Sequence, residues 1–174
     1  MSQISRQVGQ SISSLTREFE LITHNLANVN TSGYKRRCNS FSAALEKKLN
    51  ESGKGLKIEE AVDFSQGSLK QTGRKLDVAI NGKGFFVLET PQGPVYTRNG
   101  SFQANRNGQI VDSAGRLVQG QNGPVSIPLG RSVSEVVVSG DGTVSVGNNR
   151  IGKLRIVEFG QDSDKLKPVG NSCF

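Results

Sequence analysis

The sequence predicts a mainly β protein: a compact antiparallel β-domain with a long N-terminal α-helix and an extended connector arm. Three observations carry this. An apolar stripe at helical spacing fills the first thirty residues, and from Leu76 onward turn signals recur about every eight to ten residues. Between them runs a polar stretch with neither pattern. Composition fits the β reading, because 21 glycines in 174 residues suit many tight turns rather than a helical bundle. Hydrophobic residues make up 34% and aromatics 6%, with no Trp, so the core is expected to be modest and rich in Val, Ile and Leu. The predicted divisions are 1–37 (helix and its exit), 38–75 (short helix and extended connector) and 76–174 (antiparallel β-domain).

The stripe consists of Ile4, Val8, Ile12, Leu15, Phe19, Ile22, Leu26 and Val29. Steps of four and then alternating three and four place these side chains on one narrow seam, the a/d pattern of a coiled coil. The other face carries Ser2, Gln3, Arg6, Gln7, Ser13, Arg17, Glu18, Glu20 and Asn25, all comfortable in water. A helix over 3–29 would be roughly 39 Å long at about 1.5 Å per residue. A small β-domain cannot cover so long and narrow a face, so the helix is expected to need a partner.

Asn30-Thr31-Ser32-Gly33 ends the helix, with Gly33 suited to the left-handed conformation of a helix terminus. Asn25, Asn28 and Asn30 are expected to cap or cross-bridge there. A short second helix is expected over about 39–50, with Ser40 as N-cap and Phe41, Leu45 and Leu49 at four-residue steps. Glu51 to Gly55 reads as a flexible connector, and residues 56–75 as extended chain.

In the β region Leu76, Val78 and Ile80 alternate before an Asn81–Gly84 turn and the Phe85–Leu88 strand. Further strands are expected at Val95–Thr97, Gln109–Val111, Leu117-Val118, Val136–Val138, Val144–Val146 and Leu154–Val157. Asn-Gly and Asp-Gly at the breaks suit two-residue type I′ hairpins, whose two central residues take positive φ.

Catalytic equipment is sparse. His24, the only histidine, stands on the helix, and Cys38 and Cys173 have no CxxC spacing, so no zinc site, redox pair or disulfide framework is expected. Asn81-Gly-Lys-Gly84 is followed by a strand rather than a helix and is no phosphate loop. Ser139–Thr143 hints at a calcium loop but lacks further acidic ligands and reads as a hairpin. No catalytic residues, cofactor or small-molecule substrate are expected.

No apolar run approaches the roughly 20 residues of a membrane span, and Ser, Gln and Arg interrupt any secretory h-region. Net charge is +7, with 12 Lys/Arg against 7 Asp/Glu in 1–75 and 10 against 8 in the remainder. The alternative of another class is therefore a basic nucleic-acid-binding module using Lys35-Arg36-Arg37 with Lys47-Lys48. A carbohydrate-binding β-domain would want an exposed aromatic cluster, which a chain without Trp supplies poorly.

Specific strings point further. His24-Asn-Leu-Ala-Asn-Val-Asn-Thr-Ser-Gly-Tyr-Lys35 resembles the signature of bacterial flagellar rod and hook proteins, with Asn25, Leu26, Ala27, Asn28, Thr31, Gly33, Tyr34 and Lys35 in the motif positions. Asp63–Gly73 and Leu76–Phe86 resemble the family's connector and first β-hairpin, and Tyr96–Phe102 with Asn107-Gly-Gln continues the match in order. The resemblance implies a non-enzymatic axial subunit of the flagellar basal-body rod, proximal or distal, with a hook-type axial protein as the alternative. It implies export without a cleaved signal through the flagellum-specific type III apparatus, and helical polymerisation with copies of itself and other axial subunits. It also implies a second long amphipathic helix after the β-domain, which this sequence, running to Phe174, does not include.

Overall fold

The computed structural model describes residues 3–40, 59–160 and 166–174. The chain divides into two compact units, one formed by 1–31 and 35–65, the other by 32–34 and 66–174. Mainly antiparallel β structure with one N-terminal helix is what the sequence predicts, and it is what the chain adopts.

In the first unit, α1 runs over Gln3–Ala27. Its interior hydroxyls are satisfied along the helix itself: Ser13 donates to the Gly9 carbonyl at 2.9 Å, Thr16 to Ile12 at 3.0 Å and Thr23 to Phe19 at 2.8 Å. The helix stops two residues short of Val29. Asn28 and Val29 close i→i+3 bonds to Asn25 and Leu26, both at 3.2 Å, and tighten the end into successive turns. Strand β1 (Arg37–Ser40) then pairs antiparallel with β2 (Glu59–Val62), Arg37 opposite Val62 and Cys38 opposite Ala61. Asn39 and Ser40, expected to begin a helix, are instead the end of β1; the rest of that expected helix lies outside the described residues. The pairing of a strand with chain nineteen or more residues away leaves no local signal to compete with helical spacing.

Among the described residues the second unit holds ten strands. A seven-stranded antiparallel sheet contains β3 (Phe85–Thr90), β4 (Gly93–Thr97), β5 (Gln103–Ala104), β6 (Ile110–Val111), β7 (Leu117–Gly120), β8 (Gly123–Pro124) and β12 (Ile156–Val157). Its path is β12-β3-β7-β6-β5, with β4 beside β3 and β8 beside β7. A 3-10 turn at Val133–Glu135 leads into a three-stranded sheet, β9 (Val136–Val138), β10 (Thr143–Val146) and β11 (Asn149–Lys153), with β10 central. Phe86, Leu88, Phe102, Val118, Val136 and Val144 lie at the centre of the core, Phe86 and Phe102 meeting edge to face at 5.2 Å. Asp112 is buried because its carboxylate is fully used: Oδ1 accepts the Ala114 and Arg116 N–H groups at 3.0 and 2.9 Å, and Oδ2 the Arg116 Nε–H at 2.8 Å. Residues 172–174 run beside β4, where Tyr96 and Phe174 exchange both backbone hydrogen bonds at 2.9 Å.

Three expectations about this unit are corrected. Leu76–Ile80 forms no hairpin with β3; it runs against 100–102, with Val78 N–H on the Gly100 carbonyl at 3.0 Å and Phe102 N–H on Leu76 at 3.3 Å. The Asn-Gly and Asp-Gly pairs do not form type I′ turns, since Asn81, Asn99, Asn107, Asn122 and Asp141 do not take positive φ. The turns ending at Gly108 and Gly142, like the one ending at Gly115, are each closed by an i→i+3 bond with a left-handed glycine last, the three-residue hairpin loop with a bulge. Finally, Leu154 stands outside the regular strands, buried between β11 and β12, because its N–H is drawn to the Gly142 carbonyl at 2.8 Å.

Candidate assembly surface

Two faces of α1 behave differently. Along the seam, Val8, Ile12, Leu15, Phe19, Ile22 and Leu26 are all more than half exposed, from 52% at Val8 to 71% at Phe19, and Val29 just beyond the helix is also 71% exposed. Ile4 lies in the same helix. A line of large apolar side chains in water is the kind of surface that marks a contact with another molecule. The second face is Leu21, Asn25 and Asn28, one helical step apart. Leu21, absent from the seam reading, is 7% exposed, and Asn25 beside it turns toward β1. Its sequence signal was its place four residues before Asn25, off the seam by about a third of a turn.

The motif residues build the exit from α1. The Asn25 side chain reproduces what a neighbouring strand would offer: Nδ2 donates to the Arg37 carbonyl at 2.8 Å and Oδ1 accepts the Arg37 N–H at 3.0 Å. Both groups lie at the first residue of β1, so the helix end and the ribbon are fixed together. Asn28 Nδ2 donates to the His24 carbonyl at 2.8 Å, meeting one of the acceptors left open at a helix C-terminus, and Thr31 Oγ1 donates to Asn28 Oδ1 at 3.2 Å. Lys35 Nζ donates to the Ser65 carbonyl at 2.6 Å and lies 3.4 Å from that of Phe64, on the chain leaving β2. Arg36 pairs with Asp63 at 3.1 Å. The Ser65 backbone N–H and hydroxyl, then Arg36, hold the Asp63 carboxyl below its ordinary value.

In the second unit, Gly33 takes φ of 70°, and a Cβ there would lie 2.3 Å from the Asn99 nitrogen. Glycine is required twice over, for the left-handed backbone and for the close approach. Tyr34 is half-buried, while Leu26 and Ala27 are exposed. The motif thus divides: Asn25, Asn28, Thr31, Gly33 and Lys35 hold backbone, and Leu26 belongs to the seam.

The basic run loses much of its availability, since Lys35 and Arg36 are turned to partners within their own unit; Lys47-Lys48 lies outside the described residues. Cys38 and Cys173 are free thiols, the first half-buried and the second buried. Among the described residues no three His, Cys, Asp or Glu side chains are grouped to hold a metal ion, and no helix is long and apolar enough to cross a membrane.

The open apolar seam of the helix, with the motif's polar side chains spent on holding backbone, is the character of a structural protein. Comparison with known proteins supplies the family. Residues 79–146 match the family model described as the flagellar hook protein FlgE/F/G D1 domain. The chain is 34% identical to the flagellar basal-body rod protein FlgF of Caulobacter vibrioides, covering 94% of this chain and 69% of that protein. It is 37% identical to the flagellar basal-body rod protein FlgG of Buchnera aphidicola subsp. Baizongia pistaciae, over 88% of this chain and 66% of the relative. Against the FlgF of Salmonella typhimurium the identity is 32%, over 77% and 56%. The chain belongs to the flagellar basal-body rod protein family. It spans about two thirds of the length of the first two of these relatives.

Proposed function

We propose that this chain is a structural subunit of the bacterial flagellar basal-body rod and that it assembles through the seam of α1. The observation that carries the reading is the run of seven large apolar side chains from Val8 to Val29, each at least half exposed, on a member of a rod protein family. Burying a large aliphatic side chain contributes about 1.5–3 kcal/mol before ordering entropy is subtracted. A matching helix from a neighbouring subunit therefore gains strongly from docking. Its partners are copies of itself and other axial subunits, its place is the periplasm-spanning rod, and its route there is the flagellar export apparatus without a cleaved signal. Residues 1–37 are the assembly core, 38–75 a short helix and extended connector, and 76–174 the antiparallel β-domain. The role is structural, with no catalytic step.

The test replaces Phe19 and Leu26 by Asp, singly and together, in a strain lacking the native gene. Incorporation into isolated basal bodies is expected to fall steeply, while the soluble subunit keeps its β-domain. Normal incorporation of the double variant would remove the seam as the assembly surface.

A further inference from the structure

Asn-Gly occurs four times in the sequence, at Asn81-Gly82, Asn99-Gly100, Asn107-Gly108 and Asn122-Gly123. This dipeptide is open to a reaction needing nothing but water. The glycine nitrogen attacks the asparagine Cγ, the Cγ–N bond breaks and ammonia leaves, giving a five-membered succinimide. Water then opens the ring to aspartate or isoaspartate, so one water is consumed and one ammonia released. Ring closure requires a side-chain amide that is not held, a glycine N–H that is not engaged, and backbone slack for the nitrogen to reach Cγ.

The fold grants these conditions unequally. Asn99 Oδ1 accepts the Ser101 N–H at 3.1 Å, and Gly100 is buried so tightly that a Cβ would lie 1.7 Å from the Val78 carbonyl oxygen. Gly108 N–H is engaged by the Asn105 carbonyl at 3.0 Å. Gly123 is paired with Gly120 in the β7–β8 ladder. Asn81 is the pair in which the conditions coincide. It and Gly82 are exposed, the position of a Gly82 Cβ has nothing within 4 Å, and among the described residues neither the Asn81 amide nor the Gly82 N–H has a hydrogen-bond partner. The nearest tie is one peptide further on, where Arg98 Nη1 donates to the Gly82 carbonyl at 2.5 Å.

We propose that Asn81 is a self-modification site of the folded chain, selected over the other three Asn-Gly pairs by its unheld side chain and free glycine nitrogen. The product matters locally. It places a carboxylate beside Lys83, and in the isoaspartyl form it adds a methylene to the backbone immediately before Gly82. That lengthened loop works against the Arg98–Gly82 hydrogen bond, at an arginine whose Nε is already buried without a partner among the described residues.

Cleavage after Lys and Arg separates the four sites into the peptides 76–83, 99–106, 107–116 and 117–131. The intact chain is aged in mildly alkaline buffer, and each peptide is followed by mass spectrometry with chromatographic separation of aspartyl and isoaspartyl products. Peptide 76–83 is expected to gain the deamidation mass several-fold faster than the rest, and the same chain aged in denaturant to react at all four sites at similar rates. Asn81→Gln, which must close a larger ring, is expected to abolish the gain in that peptide alone. An unreacted 76–83 peptide, or any other site keeping pace with it in the folded chain, overturns the proposal.

Discussion

An asparagine amide presents a donor and an acceptor side by side, the arrangement by which one strand recognises another. Asn25 uses both on Arg37, and the geometry excludes its closest substitutes. Asp has no donor and would set a carboxylate against the Arg37 carbonyl; Gln reaches one methylene too far. Two hydrogen bonds at about 0.5–1.5 kcal/mol each make Asn25→Ala cost about 1–3 kcal/mol locally. Exchange of the Arg37 amide hydrogen is then expected to quicken by roughly 5- to 150-fold, with Asn25→Asp at least as severe and the Val87 amide in β3 unchanged. Unaltered exchange at Arg37 would show that the amide pair does not hold the ribbon. That Asn25 and Asn28 bridge and cap was legible in the sequence, because asparagines cluster where apolar periodicity ends. What Asn25 bridges to was not legible, since β1 pairs with β2 across eighteen intervening residues and neither strand alternates clearly.

At the scale of elements, the sequence marked where the hairpins turn but not how. Glycine spacing locates Gly108, Gly115 and Gly142 correctly, yet the preceding residues keep negative φ, and side-chain oxygens stabilise the loops instead. Asn105 Oδ1 accepts the Asn107 and Gln109 N–H groups, and Asp112 Oδ1 those of Ala114 and Arg116. Asp141 acts from two residues later in its turn, accepting the Thr143 N–H at 3.1 Å and hydroxyl at 2.8 Å, with Lys153 at 3.3 Å. The Thr143 hydroxyl, then its N–H, and then Lys153 lower the Asp141 carboxyl from 3.8 to about 2. A depressed carboxyl stabilises the fold fully above its unfolded value and loses that contribution as pH falls through the folded one. Asp141 therefore supports the β9–β10 hairpin down to acid well below pH 3.8, until about 2. A carboxyl-carbon NMR titration is expected to place its midpoint near that lower value, and Thr143→Val to move it up toward 3.8. A native midpoint at the ordinary value would mean the hydroxyl does not hold the carboxylate.

Over the whole molecule, the two units distribute apolar side chains in opposite ways. In the second unit most of the large ones turn inward, Leu129 and Val169 being exceptions, and sheet and core share the same residues, Phe86 and Leu88 among them. In the first, only Leu21 of α1 is buried among the described residues, and the seam faces water. Most of a helix's stability in a protein comes from packing of its apolar face, so the order of α1 depends on what covers the seam. If the seam is the assembly surface, helicity and association are linked by mass action and must rise together with protein concentration. A dilution series followed by sedimentation velocity and far-ultraviolet circular dichroism is expected to show one shared midpoint. Phe19→Asp should flatten both curves; at an exposed position it is expected to change the stability of the unassembled chain by no more than about 0.5 kcal/mol. Helix content that stays constant while the sedimentation coefficient rises would place the contact elsewhere and leave α1 folded by its own ribbon.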